Sequence, residues 1–327
     1  MADIVLGLGT SHSPLLSVPS ELWASYSERD KKNSTLYRIP DGKHVNYDEL
    51  LEEVDPSVAK EITQQKFDAR HEANQRGIAR VAQKLAEVNP DVLVMFGDDQ
   101  SEVFNVNSMP AVCVFWEGPV PFQRSSFGRE DESSKSIEAY YGSGSFEYPI
   151  DASLGSHIVT TMMDHHIDTM QVRKLPEGKT MSHAFGFVWR RIMGEKPIPT
   201  VPIHLNTYFP PNQPTPERSI TIGKAVREAI KSWDPGKRVA VLGSGGFSHF
   251  VVDEELDRKA MKALQEHDQK TLAALPVERL KSGTSEIRNW IAAGAALEDL
   301  DMDVYDYVPC YRSPAGTGCA MGFAAWE

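Results

Sequence analysis

The stretch PDVLVMFGDDQSEVF, residues 90–104, begins as a strand and ends as a set of polar groups. Val92 to Gly97 contains no polar side chain and includes the β-branched Val92 and Val94, which is how a strand covered on both faces reads. Asp98, Asp99 and Gln100 follow at once. A buried strand that delivers charge at its carboxyl end suits an open α/β sheet, where ligands bind in the crevice beyond the strand ends.

The surrounding chain alternates strands with helices. DIVLGLGTSH (3–12) reads as a strand running into a loop, and residues 57–88 carry apolar residues at helical spacing over most of their length. PAVCVFW (110–116) reads as another buried strand, and RSITIGKAVREAIKSW (218–233) as a helix leading into the strand RVAVLGSGG (238–246). This alternation predicts one three-layer α/β domain over residues 1–327, with a mixed central sheet flanked by helices. Residues 17–57 and 118–150 break it. Both are polar and aromatic and rich in turn formers, so they are expected as insertions whose long loops lie over the site and act as a lid.

With 41% apolar and 24% charged residues, the 327-residue chain can bury a large core. A net charge of −12 without a Lys/Arg run argues against nucleic acid as a partner, because phosphate binding needs a basic surface. No apolar run approaches the roughly 20 residues of a membrane-spanning helix. The start, MADIVLGLGTSHSPLL, lacks the basic region and unbroken apolar stretch of a signal peptide, so a cytoplasmic protein is expected. Cys113, Cys310 and Cys319 are an odd set with no close spacing, which suggests neither a disulfide framework nor a zinc knuckle.

Histidines mark the predicted strand ends. His12 follows the first strand, His249 follows the strand at 238–246, and His183 sits in MSHAFGF at the entry to a helix. A lone histidine is more often a structural hydrogen-bonding residue, but strand ends of one sheet converge, and imidazole suits both metal binding and proton transfer near neutral pH. A metal would also want a carboxylate. Glu286, in SGTSEIRNW, is one candidate, and its alternative reading is a first-turn acid that complements the helix dipole. Asp98 and Asp99 are rivals, and spacing does not choose among the three.

The chain resembles the class III extradiol ring-cleavage dioxygenases, the superfamily of the protocatechuate 4,5-dioxygenase catalytic subunit. Within it, the likeness is to the gallate and 3-O-methylgallate dioxygenase branch. It is carried, in order, by GTSHSP, PDVLVMFGDDQSEVF, MSHAFGF, VPIHLNTYFPP, GSGGFSHF, SGTSEIRNW and SPAGTGCAMGF. Each motif alone is loose, but seven in sequence over nearly the whole chain are specific.

The resemblance implies Fe(II) as cofactor, a small aromatic substrate and O2 as reactants, and a homodimer. By position, His12 and Glu286 match iron-binding residues, His249 matches the acid/base, and His183 matches a histidine that bonds the substrate and assists ring opening. The family's second iron-binding histidine falls at Gln100 here, counted without gaps from Pro90 or Pro110. An amide thus stands where an imidazole is expected. Gln100 can coordinate through its carbonyl oxygen, with Asp99 as the alternative ligand and Asp98 also within reach of the role. Asn206 and Tyr208 are candidate substrate-binding residues. A metal-dependent hydrolase or lyase on the same scaffold is the alternative function.

Overall fold

A computed structural model of the chain describes residues 1–123, 144–194, 196–234 and 236–327. Its strands are β1 (Asp3–Thr10), β2 (Val92–Gly97), β3 (Val112–Phe115), β4 (Val120–Phe122), β5 (Phe146–Tyr148), β6 (Met170–Val172), β7 (Thr200–Leu205), β8 (Arg238–Ser244), β9 (His249–Val251), β10 (Met302–Tyr311) and β11 (Thr317–Trp326). Nine of them form one mixed sheet in the order β10-β11-β1-β8-β2-β7-β3-β6, with β9 beside β11, while β4 and β5 pair separately. The middle strands β1, β8, β2 and β7 run parallel. β11 and β3 flank them antiparallel.

β2 is buried along its whole length because both of its faces are covered. Val92, Val94 and Phe96 join a core with Leu154, Ile222 and Ile291, from the helices Ala152–Asp164, Pro216–Ser232 and Ile287–Ala296. Leu93 and Met95 join the opposite core with Phe67, Ile78 and Val81 of the helix Gln64–Val88. This is the three-layer α/β arrangement expected from the sequence.

The long helix starts at Gln64, where the Thr63 side chain accepts from Lys66 N and caps it. Residues Pro56–Glu61 form a separate 3-10 turn, so the helical pattern expected from residue 57 is realised only after this break. Thr215 caps the helix Pro216–Ser232 in the same way, with proline at its first position, where no backbone donor is lost.

The segment 17–57 contains two short helices, Trp23–Asp30 and Tyr47–Glu53. It is tied down by Asp30, whose buried carboxylate accepts from Arg312 Nε at 2.7 Å and Nη2 at 2.6 Å. Of the segment 118–150, β4 and β5 are described, and residues 124–143 lie outside the described residues. No helix among the described residues is long and apolar enough to cross a membrane.

Candidate metal and active site

Three of the parallel strands end on one cluster. His12 follows β1, Ser244 ends β8 and Asp98 follows β2. Gly97 permits the close approach there, since a Cβ at this position would lie 2.9 Å from Phe185 Cε1. Ser182 Oγ donates to Asp98 O at 2.6 Å and locks the entry of the His183–Phe187 helix to the strand end.

Two hydrogen bonds fix the tautomer of His12. Ser244 Oγ donates to Ala184 O at 2.7 Å, so it accepts at 2.9 Å from His12 Nδ1. The Nε2 lone pair is therefore directed at the acids, 3.4 Å from Glu286 Oε2 and 3.8 Å from Asp98 Oδ1. Burial, the largest influence, pushes the imidazole down to about 4 and keeps it neutral, as a ligand must be.

Each carboxylate is held from behind. Asn289 Nδ2 donates to Asp98 Oδ1 at 3.2 Å and to Ser244 O at 2.9 Å. Gly246 N donates to Glu286 Oε2 at 2.6 Å. Burial would raise the Glu286 carboxyl, but His249, His12 and the Gly246 N–H together hold it at about 2. Burial and the neighbouring Glu286 push Asp98 well above the usual carboxylate range. Two acids side by side in the core resist double ionisation unless a cation sits between them.

His249 stands on the other side of Glu286. Its Nδ1 donates to Phe247 O at 2.7 Å, and its Nε2 lies 3.2 Å from Glu286 Oε1 and 3.3 Å from the Tyr208 hydroxyl. Tyr208 in turn donates to Glu286 Oε1 at 3.1 Å. Burial opposes a charge on His249, but Cys319 and Glu286 hold it well above its ordinary value. Its ring packs against Gly283, where a Cβ would come within 1.8 Å of His249 Cδ2.

His183 meets His12 edge to face, with ring centroids 4.9 Å apart. Glu102 Oε1 accepts from both His183 N, at 2.9 Å, and Nδ1, at 2.7 Å. Burial works against the imidazolium, yet Glu102 outweighs it and the pKa rises to about 9. His12, His183, Tyr208, His249 and Glu286 line a cavity of about 360 Å³, with Asp98 buried behind them, and Tyr26, Arg29, Asp30 and Asn33 of the segment 17–57 line it too.

A profile of the family described as the catalytic LigB subunit of aromatic ring-opening dioxygenase matches residues 49–309. The chain belongs to this family. A 2,3-dihydroxyphenylpropionate/2,3-dihydroxicinnamic acid 1,2-dioxygenase of Photorhabdus laumondii is 26% identical over 187 residues, covering 56% of this chain and 52% of that protein. A protein of the same name from Mycolicibacterium gilvum is 25% identical over 177 residues, covering 53% of this chain and 48% of that protein. The chain spans about half the length of the curated relatives it matches. Asp98, His183, His249 and Glu286 lie inside the family match, and His12 precedes it.

Ring-opening dioxygenases of this family are metal-dependent, and the site here fits a metal. His12, Asp98 and Glu286 each offer a ligand atom, and these lie within 4.8 Å of one another. Asp98 Oδ2 is buried and has no hydrogen-bond partner among the described residues, which coordination to a metal ion would relieve. Two carboxylates and one neutral imidazole balance a divalent cation in charge.

The other residues expected from the sequence are distributed differently. Gln100 lines the cavity beside the cluster, its amide nitrogen 3.4 Å from Glu286 Oε1. Asp99 is turned into its own loop, where its carboxylate accepts from the N–H groups of Ser101, Val103 and Phe104. Tyr208 reaches the cavity, whereas Asn206 closes a turn, donating to Phe209 O at 2.6 Å and Asn212 Oδ1 at 2.7 Å. Glu102 and Asn289, which orient His183 and Asp98, were not expected. The signal for Glu102 was its place two residues beyond Gln100, on the loop that Asp99 folds back.

Proposed function

We propose that this chain, 1–327, is one catalytic domain of an Fe(II)-dependent extradiol dioxygenase that opens a catecholic ring beside its diol, the product taking both atoms of O2. The observation that carries the reading is the meeting of His12, Asp98 and Glu286 beside a cavity that His12 and Glu286 line, with His249 Nε2 3.2 Å from the same Glu286. Membership of the family supports it. A gallate, 3-O-methylgallate or protocatechuate-like substrate and a homodimeric assembly are parts of the same proposal. The curated relatives named for 2,3-dihydroxyphenylpropionate add that compound to the substrates worth testing.

In this reading His12, Asp98 and Glu286 hold the metal, with Gln100 beside them able to turn its carbonyl oxygen inward. A bound Fe(II) supplies the electron transfer that lets a closed-shell ring react with triplet oxygen. With Glu286 engaged on a metal and no longer holding the imidazole charged, His249 Nε2 would take the proton of a substrate hydroxyl and return it as the ring opens. The bond from its Nδ1 to Phe247 O keeps the ring aimed for both steps. Tyr208 bridges His249 and Glu286, fixing the spacing of base and ligand. His183, charged through Glu102, offers a cationic donor to a developing oxyanion. Tyr26 and Asn33 line the same cavity from the segment 17–57.

The test is oxygen uptake by anaerobically purified, Fe(II)-loaded protein on addition of gallate, 3-O-methylgallate, protocatechuate, catechol, 2-aminophenol or 2,3-dihydroxyphenylpropionate. About one O2 per substrate and a ring-opened chromophore are expected. Metal-loaded protein that consumes no oxygen with any of them rejects the reading in favour of a hydrolytic or lyase site.

A further inference from the structure

The cavity is lined by charged residues beyond those of the metal cluster. Among them Asp30 and Arg312 cancel as a buried bidentate pair at 2.7 and 2.6 Å, to which Thr317 Oγ1 adds a bond at 2.5 Å. Arg29, one residue away on the same helix, makes no ion pair or side-chain hydrogen bond among the described residues, although it lines the cavity. Its guanidinium is nevertheless held in place, 4.6 Å from the Tyr26 ring, and Arg312 packs against that ring at 5.6 Å. Beside it, Asn33 Oδ1 is occupied by Thr35 N and Oγ1, which leaves the Asn33 amide N–H groups as further donors to the cavity.

A planar cation and an amide donor, both uncompensated, at the mouth of a cavity in a chain of net charge −12 make a local anion site. An exposed position suits a carboxylate, because the anion keeps part of its hydration and avoids the penalty of full burial. We propose that Arg29, assisted by Asn33, is the residue that selects for ring substrates bearing a carboxylate on the side away from the oxygenated carbons. The assignment rests on the ring-cleavage reading for the other end of the ligand, and it makes Arg29 a specificity determinant contributed by the segment 17–57.

The experiment measures binding, with turnover followed separately. Anaerobic, Fe(II)-loaded wild-type protein, Arg29→Gln and Arg29→Lys are titrated calorimetrically with 3,4-dihydroxybenzoate and with catechol. Wild type binds the benzoate about tenfold more tightly than catechol or better, Arg29→Gln brings the ratio close to one by weakening the benzoate, and Arg29→Lys keeps part of it. A ratio that Arg29→Gln leaves unchanged, or a wild-type ratio of one, overturns the assignment. Selective binding lost in Arg29→Gln, without oxygen uptake by wild type, keeps Arg29 and rejects ring cleavage. Uptake with an unchanged ratio does the reverse.

Discussion

His12 Nε2 and Glu286 Oε2 stand 3.4 Å apart, although one residue follows the first strand and the other precedes the helix Ile287–Ala296. Asp98 completes the group from the middle of the chain, and its Oδ2 has no hydrogen-bond partner among the described residues. Substituting Asp98→Asn should therefore weaken metal binding by more than about 100-fold, beyond the loss expected for an outer partner. The same change removes a buried acid beside Glu286, so the metal-free variant should melt at least as high as metal-free wild type. Metal titration and thermal melts with a chelator check both halves. Unchanged metal affinity would remove Asp98 from the ligand set.

Glu286→Ala should lose the metal altogether, and His249→Phe should keep it while ring cleavage falls by about 10²–10⁴-fold. Metal analysis of the two purified variants separates ligand from acid/base. Loss of metal in His249→Phe would show that His249 is a ligand instead.

Gly283→Ala tests positioning without touching a polar group. A methyl group there would overlap the His249 ring, 1.8 Å from Cδ2, so the imidazole must move. Turnover should drop by about 10²-fold with metal content intact, since a displacement of this kind near the reacting atoms is enough. Activity equal to wild type would mean that the ring tolerates a different seat.

Asp30→Ala should destabilise the fold by about 3–5 kcal/mol, because it strands the buried Arg312 guanidinium. Denaturant unfolding of the metal-free protein reads this directly. A loss below 1 kcal/mol would mean that Arg312 finds another partner.

A pH effect arises away from the metal cluster. Burial pushes the His204 imidazole down to about 4, against the opposing hydrogen bond to Pro110 O. It is neutral in the folded state, whereas the unfolded chain takes a proton below its ordinary value of 6.5. The unfolded state thus binds more protons between pH 6.5 and 4, and stability falls across that window as pH drops, by on the order of 3 kcal/mol. His204→Phe should flatten this limb by about one proton's slope. An unaltered pH dependence of unfolding would place the titrating group elsewhere.

The central strands were legible because their burial on both faces leaves an unbroken apolar signature, as at Val92 to Phe96. β10 left no such mark. It lies at a sheet edge, exposes or half-exposes Asp303 and Asp306, and carries Pro309, so its sequence reads as loop. At the site, histidines and acids at strand ends were legible as types, and their roles depend on orientation. Asp98 and Asp99 are adjacent and identical in chemistry, yet one points to His12 and the other caps a loop. The cavity-lining residues Tyr26 and Arg29 lay in a segment whose composition suggested an insertion over the site but named no residue of it. Their place depends on the long-range bond from Asp30 to Arg312, which no local pattern announces.

The spread of the cluster along the chain bears on how the protein acquires its ion during synthesis. A nascent chain exposes His12 and Asp98 long before Glu286 leaves the ribosome, and two donors without the third hold a divalent ion weakly. Capture must wait until the sheet has closed around β8 and the Glu286 helix has docked. Which metal enters is then decided by the finished cavity and not by whichever ion the growing chain meets first.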